Sequence, residues 1–247
     1  MMGQNKVNTP EYSIVILCYR VGRYCTTFVN EVIENVDKLN VDYELILVAN
    51  YWEGSNDETT RIAEELSRAN ARIKVVALPK EGMMGWDMIS GLKATSGRII
   101  AVIDGDGQMP PYDLVRVYKK LKEDNLDFAM TYRVKREDKL LRSIMSLVYN
   151  FLFRLLFPHF PLRDINSKPK IFTREVCDNL NLTSFDWFLD TEIVIQVRRM
   201  HLKIAEIPTI FKKIYSRPSY VKIEAVWEFI RNIIKSRISE FKVKKTA

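Results

Sequence analysis

The sequence predicts an α/β fold with a mostly parallel sheet and flanking helices, and three observations carry that reading. Short β-branched runs alternate with amphipathic stretches through the first half of the chain, the pattern of strands wound with helices. The runs Ile14-Val15-Ile16-Leu17 and Ile99-Ile100-Ala101-Val102-Ile103 are apolar at every position, as strands covered on both faces must be. No Gly/Ser/Pro-rich stretch interrupts the 247 residues, so one large domain with a C-terminal appendage is expected, divided as 1–220 and 221–247.

The elements follow in order. Strands are expected at 13–19, 43–49, 73–78, 98–103 and 128–132, with helices near 24–39, 57–68, 85–94 and 112–125. In such sheets ligands bind beyond the carboxyl ends of the strands, so the residues just after each strand are where chemistry is sought. After Tyr132 the pattern changes. A basic stretch of Arg133, Lys135, Arg136, Lys139 and Arg142 leads into an apolar helix at 144–162, broken by Arg154 and Pro158. A loop at 163–170, a short strand near Ile171, a helix at 190–201 and an extended segment at 204–214, interrupted by Pro208, complete the body. The tail, 221–241, mixes Val226, Phe229, Ile230, Ile233, Ile234 and Phe241 with Arg231, Lys235 and Arg237, the composition of a basic amphipathic helix.

With 38 Lys+Arg against 31 Asp+Glu the chain carries a net charge of +7, which favours an anionic partner. No recognised nucleic-acid motif accompanies the charge, so nucleic acid is not the expected partner. Cys18, Cys25 and Cys177 form no CxxC pair, which argues against a disulfide framework or zinc site and fits a reducing compartment. The polar N-terminus lacks the apolar stretch of a secretory signal, and no window has the roughly 18 uncharged apolar residues of a membrane span. The expected location is cytoplasmic and peripheral on the inner membrane face, with 144–162 and 221–241 lying on the bilayer.

The strongest chemical signal is Asp104-Gly105-Asp106-Gly107-Gln108 at the end of a buried strand. Two carboxylates so placed repel each other unless they share a cation, and an Asp pair with an amide oxygen suits Mg²⁺ or Mn²⁺. A solvent-facing Asp-Gly turn is the structural alternative. Asp57 stands where a helix cap is expected. Ahead of the apolar helix, the basic stretch opposes the helix dipole, which makes an anionic lipid head group its better partner than bulk water. His159 and His201 are isolated, and Trp187 and Trp227 read as core or interfacial anchors.

Asp-x-Asp-Gly after an apolar strand is similar to the nucleophile motif of haloacid-dehalogenase-type phosphatases. That family has Thr or Val where this chain has Gln108, and its motif ends the first strand rather than the fourth. The assembled order instead resembles glycosyltransferase family 2, in its dolichyl-phosphate mannosyltransferase and polyprenyl-phosphate glycosyltransferase branch, over about 13–222. Ile14-Val15-Ile16-Leu17-Cys18-Tyr19-Arg20 is similar to V-I-P-x-Y-N-E, and Val48-Ala49-Asn50 with Glu53-Gly54-Ser55-Asn56-Asp57 resembles D-D-G-S-x-D. Lys80-Glu81-Gly82-Met83-Met84-Gly85 looks like the glycine-bearing helix start. Asp104-Gly105-Asp106-Gly107-Gln108-Met109-Pro110-Pro111 is similar to D-A-D-x-Q-x-P-P. In the second half, Asp164-Ile165-Asn166-Ser167-Lys168-Pro169-Lys170 resembles D-x-x-S-G-F-R, departing from it at Lys168 and Pro169. Phe188-Leu189-Asp190-Thr191-Glu192, Glu206-Ile207-Pro208 and Ser216-Arg217-Pro218-Ser219 are similar to the later motifs.

The resemblance implies a GT-A, Rossmann-like nucleotide-diphospho-sugar transferase, inverting and metal-dependent, that moves a hexose from GDP-mannose or a UDP-hexose to a polyprenyl or dolichyl phosphate. It implies donor contacts from Leu17, Tyr19, Arg20, Glu53, Asp57, Gly82, Asp104, Asp106, Arg217 and Ser219. Asp104, Asp106 and Gln108 would hold Mg²⁺ or Mn²⁺, and Arg133, Arg142 and Lys170 would position the acceptor phosphate. Asp106 serves catalysis; for a hydroxyl acceptor on a glycan or small soluble molecule, Asp190 or Glu192 is the base, although Glu192 can equally stabilise its own helix. A binding subunit that retains the fold and needs a membrane-anchored partner is a further alternative.

Overall fold

The computed structural model describes residues 9–136, 140–158, 161–212 and 230–238. The chain runs β1 (Tyr12–Leu17), α1 (Tyr24–Val36), a 3₁₀ turn (Asp37–Leu39), β2 (Tyr43–Val48), α2 (Thr59–Ala69), β3 (Ile73–Val76), α3 (Met84–Lys93), β4 (Ile99–Asp104) and α4 (Tyr112–Glu123). It continues through β5 (Phe128–Arg136), α5 (Leu140–Leu156), β6 (Lys170–Thr173), α6 (Arg174–Asn179), α7 (Leu189–Arg199) and β7 (Ile204–Phe211). The seven strands lie in the order β3-β2-β1-β4-β6-β5-β7. All neighbouring pairs are parallel except the two made by β6, which runs antiparallel to both β4 and β5.

Alternation along the central strands explains the three layers. Ile14, Ile16, Leu45, Leu47, Ala101 and Ile103 face one core, filled by Phe28, Val29 and Val32 of α1 and Leu114 and Val117 of α4. Their neighbours Val15, Leu17, Ile46, Val48, Ile100 and Val102 face the other, filled by Met88 and Ile89 of α3 and Ile193, Val194 and Val197 of α7. Successive side chains of a strand point to opposite faces, so runs apolar at every position must be covered twice, and here they are.

Three elements differ from their expected bounds for physical reasons. β5 continues to Arg136 because β7 pairs along its length, Arg133 opposite Thr209 and Arg136 opposite Phe211. Arg133 and Arg136 are therefore strand residues, not cations gathered at a helix start. Pro208 does not interrupt β7, which is one unbroken strand; β7 is the last strand of the sheet, where a missing N–H costs no ladder bond. α5 starts earlier than expected and ends two residues before Pro158, whose ring disfavours helix at the residue ahead of it. α6 was not legible as a helix; the Thr173 hydroxyl caps it by accepting from the Val176 N–H.

α5 is apolar on two sides, and the two sides do different things. Tyr149, Phe153 and Phe157, the last just past the helix end, are buried in the second core. Leu147, Val148, Phe151 and Leu155 are exposed, between 58% and 70%. Residues 230–238 are helical; Ile233 is buried in the second core, whereas Ile234 and Ile238 are exposed. His159, Arg217, Ser219, Trp227 and Lys139 lie outside the described residues. Cys18, Cys25 and Cys177 form no disulfide. No described helix is long and apolar enough to cross a membrane.

The two sides of α5 separate by mutation. Phe153→Ala is expected to cost about 3–5 kcal/mol by leaving a core cavity, and Phe151→Ala within about 0.5 kcal/mol, as for an exposed site. Denaturant unfolding of both variants checks this.

Candidate active site

The mouth of the sheet forms where β1 and β4 end side by side, with Leu17 in register with Asp104. The Gly105 N–H donates to the Leu17 carbonyl at 2.9 Å, so β4 holds its line through Asp104 before the chain turns. Gly107 makes the turn with φ of +75°, a conformation glycine adopts without steric cost. Asp106 accepts from the Gln108 N–H at 3.0 Å. Gln108 is pinned to the strand-end residue Lys212, whose N–H donates to its carbonyl at 2.9 Å. Asp104 keeps 34% of its side chain exposed at the mouth.

The antiparallel strand β6 brings a cation to this point. Val102 pairs with Lys170, the first residue of β6, and Lys168 lies two residues ahead of it. The Lys168 ammonium lies 3.2 Å from the Asp104 carboxylate and 2.9 Å from that of Asp190. The Lys170 ammonium lies 2.7 Å from Asp190 and donates to the Ser167 carbonyl at 2.9 Å. Lys168, Lys170 and Asp190 are all buried. The Lys168–Pro169 peptide bond is cis, and the lysines on either side of Pro169 reach the same carboxylate.

Burying an ion costs several kcal/mol unless a partner of opposite charge is fixed beside it. One aspartate matches only one of two buried lysines, and Asp104 balances the other. Burial alone would raise the Asp190 carboxyl, but Lys168 and Lys170 outweigh it and hold it below the usual carboxylate range. Burial likewise opposes the Lys168 charge, yet Asp104 and Asp190 lift it above an ordinary lysine. Lys170 is lowered by burial, with Asp190 opposing and the Lys168 charge adding to the shift. Asp190, expected as a base, is thus a counter-ion. Glu192 accepts from the Thr183 and Ser184 N–H groups and from the Thr183 hydroxyl, which ties down the chain ahead of α7.

On the far side of β1, Tyr19 and Arg20 follow the strand; Arg20 is left-handed, with φ of 52°. The Lys80 ammonium sits 4.4 Å from the centre of the Tyr19 ring and is paired with buried Asp87. Asn50 donates to Asp87 at 3.0 Å and accepts the Leu78 N–H at 2.8 Å. This Lys80–Asp87–Asn50 group escaped the sequence reading because its members lie on three separate segments. Asp57 accepts from the Thr59 N–H and hydroxyl, 3.1 and 2.7 Å away, but the N-cap residue of α2 is Glu58, with no side-chain cap; Glu53 is exposed in the same loop. Gly82 and Gly85 pack against 184–186, and the Gly85 N–H donates to the Asp186 carbonyl at 2.9 Å. A side chain at Gly85 would meet that backbone.

Arg133 is engaged by Asp164 through two contacts, 2.5 and 2.6 Å, and stacks over Phe211. Arg142 lies in the first turn of α5. A cavity of about 410 Å³ opens between α7 and 230–238 beside Thr183, Asp186 and Asn232; Asp104, Asp106 and Gln108 do not line it. Asp104, Asp106 and Gln108 near the end of β4 offer oxygen donors of the kind that Mg²⁺ or Mn²⁺ takes. Among the described residues no group of three His, Cys, Asp or Glu gathers.

Comparison with known proteins accords with this geometry. The model of "Glycosyl transferase family 2" matches residues 13–186. The chain belongs to that family. The family and the position of the acidic strand, fourth in the chain and beside an antiparallel β6, leave no place for the phosphatase reading. Similar relatives include glycosyltransferase AglD of Haloferax volcanii, 27% identical over 80% of this chain and 32% of its own length. Dolichyl-phosphate beta-glucosyltransferase ALG5D of Trichomonas vaginalis is 24% identical over 79% of this chain and 64% of its own. Dolichol-phosphate mannosyltransferase of Pyrococcus furiosus is 26% identical over 78% and 54%. The family 2 chain therefore spans from about a third to just under two thirds of these relatives. Among solved structures, glucosyl-3-phosphoglycerate synthase of Mycobacterium tuberculosis, bound to Mn²⁺, UDP and phosphoglyceric acid, superposes with a TM-score of 0.69 at 19% identity. That match covers 93% of this chain and 78% of the synthase. The fold is GT-A-like.

Asp190→Asn tests the buried cluster. Removing one partner from buried ions is expected to destabilise the chain by about 3–5 kcal/mol at neutral pH. The Asp190 carboxyl titrates lower in the folded chain than in the unfolded one. Its contribution is therefore complete above the unfolded value, about 4, and is lost as pH falls through the lower folded value. The gap between wild type and Asp190→Asn in urea unfolding is expected to be constant above about pH 5 and to narrow below about pH 4.

Proposed function

We propose that the chain transfers a hexose from a nucleoside-diphosphate sugar to a polyprenyl or dolichyl phosphate at a cytoplasmic membrane face, with inversion. Family membership and the carboxylate pair at the sheet mouth support the donor half of this reading. Tyr19, Arg20, Glu53, Asp57 and Gly82 would contact the donor, and the family resemblance gives Arg217 and Ser219, outside the described residues, to it as well. Asp104, Asp106 and Gln108 would hold the divalent ion, which when bound neutralises charge on the leaving diphosphate.

The observation that carries the acceptor half is the engagement of both carboxylates available as a base. Asp190 is held between two lysines, and Glu192 is bound to the 183–184 backbone. A hydroxyl acceptor needs a base to take its proton, whereas a phosphate oxygen is already ionised near neutral pH. The family resemblance would give Lys170, Arg133 and Arg142 to such a phosphate; Lys170 is buried against Asp190 and Arg133 is held by Asp164, so each would exchange its carboxylate for the phosphate. The exposed apolar row Leu147, Val148, Phe151 and Leu155, with exposed Arg154 beside it, has the character of a helix face that beds into a lipid surface. Two of the relatives are named for dolichyl or dolichol phosphate, which supports the same acceptor.

Radiolabelled hexose is expected to pass from its nucleoside diphosphate to a short polyprenyl phosphate, and Asp106→Ala to lower kcat by about 10²-fold or more. Flotation with anionic vesicles is expected for the wild type and to be lost in Leu147→Ser/Phe151→Ser/Leu155→Ser. Transfer to a soluble hydroxyl acceptor alone, without vesicle binding, would contradict the lipid acceptor.

A further inference from the structure

The reading of the β4 carboxylates as a divalent-ion site leaves one side chain unexplained. Lys168 is buried, and its ammonium lies 3.2 Å from Asp104, one of the proposed ligands. Its position is built in by several contacts. Lys168 stands two residues ahead of β6, whose Lys170 pairs with Val102 of β4, and the Thr131 hydroxyl donates to the Lys168 carbonyl at 2.6 Å. The same Thr131 oxygen is 2.7 Å from the Ser167 hydroxyl, so the segment bearing Lys168 is tied to β5 and only its side chain is free to turn away.

Charge explains why the ammonium stays. Lys168 and Lys170 both reach Asp190, so one carboxylate faces two positive charges, and Asp104 supplies a second negative charge to Lys168. A dication binding at Asp104 would meet a fixed positive charge at contact distance, in surroundings where water screens it poorly.

We propose that the Lys168 ammonium competes with the divalent ion for Asp104 and sets how weakly the chain holds that ion. The proposal rests on the metal-site reading above but not on sugar transfer, and Lys168 acts through Asp104 as a positioning residue.

Mn²⁺ binding to the full chain, followed by the electron paramagnetic resonance of the free ion, tests it without turnover. Lys168→Met leaves the Lys170–Asp190 pair in place and is expected to bind Mn²⁺ at least about tenfold more tightly than wild type; Lys168→Arg, which keeps the charge, is expected to stay close to wild type. Equal Mn²⁺ affinity in wild type and Lys168→Met, lost from both on adding Asp106→Ala, would overturn the competition while leaving the metal site standing. No Mn²⁺ binding by any variant would overturn the metal site and the competition together. Should circular dichroism show Lys168→Met unfolded, the wild type decides alone. The ¹⁵N resonance of the Lys168 ammonium, assigned through its side-chain carbons, is expected to shift as Mg²⁺ saturates the site. A resonance unmoved at saturation refutes the proposal.

Discussion

The arrangement of this site depends on Asp190 and the two lysines it holds. Placing two ammonium groups in the interior is unfavourable unless anions are fixed beside them, and the chain supplies one from the first turn of α7 and the other from the end of β4. Three elements distant in sequence are locked by that one requirement. The helix α7, the antiparallel strand β6 and the acidic strand β4 cannot shift independently, because any movement would strand a charge. A negative residue in the first turn also suits the positive end of the helix.

The lock has consequences for chemistry. A carboxylate held ionised between two lysines is a poor base, which turns the functional reading away from hydroxyl acceptors and towards groups already carrying negative charge. It also couples the part of the site that faces the donor to the part that would face the acceptor, since Lys168 touches Asp104 and Asp190 alike. α5 extends that second side with a face of exposed leucine, valine and phenylalanine whose opposite face is anchored in the core through Phe153.

Much of this was legible in the residues themselves. The central strands could be located because they are apolar on both faces, and each expected strand of the first half was found within a few residues. The Asp104-x-Asp106 pair stood out because two carboxylates at a strand end need an explanation. The ends of β5 and α5 were misjudged because local pattern does not report pairing: β5 is prolonged by β7, a partner about 75 residues later. The role of Lys168 was hidden for a similar reason. In the motif it registered only as a departure from glycine, and its meaning came from contacts with Asp104 and Asp190, which lie 64 and 22 residues away in the chain. Asp57 was placed nearly right by a local rule: it hydrogen-bonds Thr59 at the start of α2, one residue ahead of the N-cap Glu58.

The most direct measurement of the account is a crystal structure of the chain with Mn²⁺ and a nucleoside diphosphate, with the ion located by its anomalous scattering. The account places the ion against Asp104 and Asp106, bridging them to phosphate oxygens beyond the ends of β1 and β4. An anomalous peak elsewhere, with the diphosphate bound away from these carboxylates, would contradict it.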